Sequence, residues 1–140
     1  MKLSPHFTLD EFTRSQTAAR WGIDNTPNET VLANLHKTAA FMEEVRRICA
    51  APITISSGYR CMELNRKIGG SITSQHMTGQ AVDFTAKGLS LEDTMQRLIL
   101  SNLDYDQLIL EYNSWIHISW SDKPRRQTLE IDREGTRVFA

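Results

Sequence analysis

The sequence has only two cysteines in 140 residues, Cys49 and Cys61, too few for a disulfide framework or a four-thiolate metal site. It also lacks an excess of either charge: 16 basic residues against 17 acidic ones leave a formal charge of -1. That balance argues against a broad nucleic-acid footprint or a polybasic membrane surface. No apolar run approaches the ~20 residues needed to span a bilayer. The opening Met1-Lys2-Leu3-Ser4-Pro5-His6 carries a charge with no apolar stretch behind it. Neither membrane insertion nor a secretory signal is therefore expected. Repeats, low-complexity tracts and linkers are missing too, so any chemistry must come from side chains other than thiols.

What is present is an ordinary globular composition, 40% hydrophobic and 24% charged. One domain over 1–140 is expected, with a leader (1–30) packed on the core and a C-terminal tail (121–140). In the leader, Phe7, Leu9, Phe12 and Trp21 are expected to face the core. Thr8 to Glu11 and Thr26 to Glu29 both fit the capping-box pattern. The second has Pro27 at the first helical position, where a missing N–H costs nothing. It predicts an amphipathic helix to about Ala50, since Val31, Leu32, Leu35, Ala39, Met42, Val45 and Ile48 recur at helical spacing.

After Pro52 the period changes to two. Ile53–Ser56 and Gln80–Thr85 read as strands, with a short helical segment around Leu64 and Ile68 between them. Ser90 caps a second helix that has Asp93 at its third position. Gln107–Tyr112 and Trp115–Trp120 read as a hairpin around Asn113-Ser114. The tail holds weak strand signals at Thr128–Ile131 and Thr136–Phe139. Together these predict an α+β fold, a small and mostly antiparallel sheet with helices packed on one side.

Four histidines are the first candidates for chemistry. His36 lies on the long helix and His6 in the leader, and both read as structural. His76 precedes Gly79 and Asp83 in Ser74-Gln75-His76-Met77-Thr78-Gly79-Gln80-Ala81-Val82-Asp83. Strand alternation sets Val82 and Phe84 on one face and Ala81, Asp83 and Thr85 on the other. A turn at Gly79 would let His76 meet Asp83, either as metal ligands or as a simple hydrogen-bonded pair. In the hairpin, Leu108, Leu110, Ile116 and Ile118 claim the core face. Ile109, Glu111, Trp115, His117 and Ser119 are left on the other. A three-residue loop centred on Ser114 would set Glu111 beside His117, as a site or as a surface ion pair.

Two imidazoles and one carboxylate are a donor set familiar from catalytic zinc, with one position left open. Zinc in such a site acidifies water and polarises a carbonyl. A second, non-ligating carboxylate is then needed to carry the proton, and Glu111 is the candidate.

The motif Ser74-x-His76-x-x-Gly79-x-Ala81-x-Asp83, followed by Trp115-Ile116-His117-Ile118-Ser119, resembles the zinc D-alanyl-D-alanine carboxypeptidase and murein endopeptidase family, which shares its fold with the hedgehog signalling domain. Ser56-Ser57-Gly58-Tyr59-Arg60, Leu64-Asn65 and Ile68-Gly69-Gly70-Ser71 extend the resemblance. The leader Phe7-Thr8-Leu9-Asp10-Glu11-Phe12 looks like that of compact phage and prophage members. The resemblance implies His76, Asp83 and His117 as zinc ligands and Glu111 as catalytic base. Many relatives place that glutamate three residues before the last histidine, where this chain has Ser114. Arg60 is implied as the binder of a substrate carboxylate, with Ser74 or Gln75 hydrogen-bonding near the metal. Apart from the resemblance, Tyr59 and Trp115 read either as walls of a groove for a glycan or peptide or as packing residues. Cys49 reads as a core residue, and Cys61 as a buried free thiol or a neighbour of the site without a nucleophile's signature.

The implied activity is zinc-dependent hydrolysis of peptidoglycan stem peptides, at D-Ala-D-Ala, at a cross-link or at L-Ala-D-Glu. The alternative is a non-catalytic phage structural or wall-binding protein that keeps its zinc for stability. A monomer is expected, made in the cytoplasm and acting on the wall after release or as part of a phage particle.

Overall fold

The computed structural model describes residues 1–140. The leader opens with a small ribbon, β1 (Lys2–Ser4) against β2 (Phe7–Thr8), then α1 (Leu9–Thr13) and α2 (Gln16–Trp21). At α1 the Glu11 carboxylate accepts from the Thr8 amide (2.9 Å) and hydroxyl (3.2 Å). Phe7 and Phe12 are buried, with ring centroids 5.9 Å apart. His6 is surface-exposed, and its ring and amide both bond Glu43, as does the Ser4 hydroxyl. Trp21 departs from expectation. It is 58% exposed at the end of α2, and the Lys67 ammonium sits 3.5 Å from its ring centroid. A cation over the ring face replaces core packing there.

The long helix α3 (Glu29–Cys49) begins two residues later than the capping box predicts. Asn28 is its cap, accepting from the Val31 amide at 2.9 Å. Thr26 cannot serve because Asp24 holds both its hydroxyl (2.6 Å) and its amide (3.0 Å). The buried stripe is Val31, Leu35, Ala39, Met42, Val45 and Cys49, spaced by three or four residues as one helix face requires.

Then follow β3 (Ile53–Ser57), α4 (Met62–Lys67), a 3-10 turn (Gln75–Thr78), β4 (Ala81–Ala86) and α5 (Leu91–Ile99). Ser90 caps α5 through the Asp93 amide at 3.0 Å. The chain ends in β5 (Gln107–Glu111), β6 (Trp115–Ser119), β7 (Gln127–Asp132) and β8 (Gly135–Val138). The main sheet runs β3-β4-β6-β5-β7-β8, with every pairing antiparallel except β5 with β7. It is the mostly antiparallel sheet of an α+β fold.

Register decides which face does what. Val82 pairs with Ile118 and Phe84 with Ile116; Leu108 and Leu110 pair with the same two isoleucines across β6. These side chains join those of α3 and α5 in one core, which includes Leu35, Met42, Met95 and Leu98, each essentially sealed from solvent. Because side chains alternate, the residues between them must face away from the helices. Those residues are Asp83, His117, Ile109 and Glu111.

Candidate metal centre

Asp83 and His117 are direct partners across β4 and β6. His117 Nδ1 lies 3.1 Å from Asp83 Oδ1. His76 arrives from the 3-10 turn, whose cap is the Ser74 hydroxyl accepting from the His76 amide at 3.1 Å. Gly79 closes the turn at φ 78°, a left-handed conformation costly for other residues. A Cβ there would also come within 3.2–3.3 Å of Val31 and Leu35 on α3. The helix grips this turn directly, through Asn34 Nδ2 on the Thr78 carbonyl (2.9 Å) and the Thr38 hydroxyl on the Gly79 carbonyl. His76 Nε2 thereby comes to 3.2 Å from the same Asp83 oxygen.

The other nitrogen of His76 fixes its chemistry. Nδ1 lies 2.7 Å from the Gly58 carbonyl, which can only accept, so Nδ1 carries the proton. In the neutral ring Nε2 then presents a lone pair toward Asp83. Gly58 itself has no room for a side chain, since a Cβ would fall 2.5 Å from the Phe12 carbonyl oxygen. One ligand atom each from His76, Asp83 and His117 lie within 4.8 Å of one another, and the residues are 2%, 8% and 8% exposed. Converging lone pairs in a buried site call for a cation, and the nitrogen–nitrogen–oxygen set suits a first-row divalent ion. The residues fit a metal. Burial pushes the Asp83 carboxyl pKa up. Protonated imidazoles at His117 and His76 would overcome that and hold it well below the usual carboxylate range, and a cation bound between the neutral rings would act in the same direction.

The cluster opens into a cleft of about 460 Å³. The family model for peptidase M15 matches residues 5–119. The chain belongs to the peptidase M15 family. This is the zinc D-alanyl-D-alanine carboxypeptidase family, so the protein is a metallopeptidase by descent and carries a metal-capable cluster. A search of the curated proteins returns no match.

All seven site residues expected of the peptidase line that one cleft. Glu111 reaches it by a different register than expected. The hairpin loop is centred on Asn113, not Ser114, so Glu111 pairs with Trp115 while Ile109 faces His117. Tyr112 and Asn113 take φ values of 54° and 50°, and the Ser114 amide closes the turn on the Glu111 carbonyl at 3.0 Å. The loop still has three residues, so Glu111 and His117 keep the same face as diagonal neighbours, about 7–8 Å apart. Trp115 Nε1 donates to Glu111 Oε1 at 2.8 Å, which makes Trp115 both a cleft wall and a holder of the carboxylate.

Arg60 stands half-buried in the cleft, its Nη2 3.5 Å from the Ser74 hydroxyl and its Nε buried without a partner. Burial pushes its pKa down, and the charges of Asp83 and Glu111 pull it back up. Of the two readings of Tyr59, groove wall or packing residue, the structure shows packing: it is 9% exposed and part of the main core. Its amide bonds the Phe12 carbonyl at 2.6 Å, which draws the residue inward. Cys49 is buried, and burial lifts its thiol pKa to about 11. Cys61 caps α4, its sulfur accepting from the Leu64 amide at 3.4 Å.

Sequence reasoning missed Asp106 and Arg125. Asp106 is 2% exposed and accepts from the Arg125 amide, Nε and Nη2 at 2.8–2.9 Å and from Gln75 Nε2 at 2.9 Å. The Arg125 hydrogen bonds outweigh burial and hold its carboxyl pKa at about 2. Nothing in the sequence pairs an aspartate before one strand with an arginine 19 residues later in a polar tail. Only the parallel placement of β7 brings them together.

Proposed function

We propose that this peptidase is a zinc enzyme that hydrolyses peptide bonds in the stem peptides of bacterial peptidoglycan. The observation that carries the reading is the convergence of His76, Asp83 and His117 in one cleft with Glu111. His76, Asp83 and His117 would hold the zinc, with the His76 tautomer set by the Gly58 carbonyl. Zinc in such a site supplies Lewis acidity, polarising a carbonyl and acidifying water.

Glu111 then carries the proton. Its Oε1 is held by the Trp115 indole N–H, which leaves Oε2 to accept the proton of the attacking water and return it to the departing amine. Arg60, which lines the cleft, supplies a planar fork for a substrate carboxylate. Ser74 supports both roles, capping the His76 turn and touching Arg60. The scissile bond is D-Ala-D-Ala, a cross-link or L-Ala-D-Glu. The substrate lies outside the cell membrane, so the protein acts after release or as part of a phage particle.

The test is incubation with purified peptidoglycan, with and without chelator, followed by mass spectrometry of the fragments. Chelator should stop the release of fragments and added zinc restore it. Glu111→Ala should abolish turnover while zinc remains bound. Turnover undiminished in that variant removes Glu111 from the mechanism, and turnover indifferent to chelator removes the metal.

A further inference from the structure

The metal side of the cleft lies within the family match, but one wall does not. Arg125, Leu129 and Ile131 line the cleft, and all three follow Ser119, where the match ends. Parallel pairing sets Leu129 beside Ile109 and Ile131 beside Glu111. The wall therefore continues the β5 face that carries the proton carrier, and Ile109, Leu129 and Ile131 form an aliphatic strip along it.

At the start of that strip stands Arg125. Its amide, Nε and Nη2 are all spent on Asp106, which Gln75 holds from the other side. Nη1 makes none of these bonds, and the side chain remains 56% exposed. The guanidinium is thus fixed in place with N–H groups to spare, so that binding an anion requires little further ordering. Arg60 is not its rival. Arg60 Nη2 lies against the Ser74 hydroxyl, whereas Arg125 is held by Asp106, so the two guanidiniums have different partners. With a divalent ion bound, the formal charge of the cleft is positive, although Asp106 balances Arg125 itself.

We propose that the C-terminal segment builds a specificity pocket, which receives an aliphatic substrate side chain ending in a carboxylate. Its methylenes lie on Leu129, the part of the strip nearer to Arg125, and its anion meets Nη1 of Arg125. The pocket deepens the hydrolase reading and rests on it.

The experiment uses two synthetic stem peptides, identical except that one aliphatic side chain ends in a carboxylate in the first and a carboxamide in the second. Kinetics with the zinc-loaded protein should favour the carboxylate about tenfold in kcat/KM, carried by KM, as one charge-assisted contact allows. Arg125→Gln should bring the ratio close to one. Arg125→Lys keeps a cation facing Asp106 but loses the fork, and should also lower the ratio. Leu129→Ala should raise KM for both peptides and leave the ratio intact. A wild-type ratio near one overturns the pocket, even if Arg125→Gln fails to fold; so does a full ratio in Arg125→Lys. Calorimetric binding of the same two peptides separates the pocket from the chemistry. If neither is cut but their Kd values differ tenfold, the pocket stands and the hydrolase reading falls.

Discussion

Asp106→Asn tests the buried anchor of the tail, and its size follows from the structure. The carboxylate is 2% exposed, and its pKa in the fold is about 2 against an ordinary 3.8. A depressed folded pKa means that the charged form stabilises the fold. The stabilisation is complete above pH 4 and is lost as pH falls through about 2. A gap of just under two units corresponds to about 2 kcal/mol, at 1.36 kcal/mol per unit. The half-exposed Arg125 partner makes this an upper figure. For a chain of this length it equals about 7 °C in Tm. Urea denaturation of the chelated wild type and variant should therefore differ by up to about 2 kcal/mol at pH 6, and the difference should close between pH 4 and pH 2. Other carboxylates, Asp83 and Asp132 included, titrate in both proteins and cancel. A difference that stays constant down to pH 2, or is below about 0.5 kcal/mol at pH 6, refutes the assignment.

Further outcomes follow from the metal cluster. Asp83→Asn replaces the one anionic ligand, and zinc content after dialysis should drop from one equivalent to a small fraction of that, as read by atomic absorption. Gly79→Ala places a Cβ at φ 78° against Val31 and Leu35. It should cost about 1–3 kcal/mol by urea titration and weaken zinc binding through the displaced His76 turn. Trp115→Phe keeps an aromatic wall but removes the N–H on Glu111 Oε1. It should lower kcat several-fold on wall fragments with zinc content unchanged; an unaltered kcat would release Trp115 from that role.

Much of the site was legible because it depends on alternation alone. Val82 and Phe84, Leu108 and Leu110, Ile116 and Ile118 announce the core face of three strands. Once they are assigned, Asp83, Glu111 and His117 have only the other face to occupy. The helices were legible from spacing, yet their ends were not. Thr26 and Asn28 are both good caps, and only the capture of Thr26 by Asp24 decides between them. The hairpin shows the same limit: loop length was readable, but its centre depends on Tyr112 and Asn113 accepting left-handed backbone. A shift of one residue in the loop centre moved the pairing by two, and only because the shift in pairing is even did Glu111 stay on the face of the metal cluster.

The tail was least legible, for a reason that bears on function. β8 reads weakly because all four of its residues are exposed, and β7 because its residues are only partly buried apart from an exposed first one. Neither has a sealed face to impose a strong pattern. What seats β7 is its ladder bonds to β5 and β8 together with Asp106 holding Arg125, Arg126 on the Ile99 and Ser101 carbonyls, and the Tyr105–Thr128 hydroxyl pair, contacts that leave no periodic trace in the chain. Such a segment gains little from apolar burial, so its position depends on a few polar anchors. If Asp106 is the main one, its loss should disturb the cleft wall before it disturbs the core. Hydrogen exchange in Asp106→Asn should then speed up across Gln127–Asp132 while the amides of α3 stay protected. Uniform acceleration over both elements would mean instead that tail and core unfold as one unit, with the wall too firmly joined to the sheet to be a separately held surface.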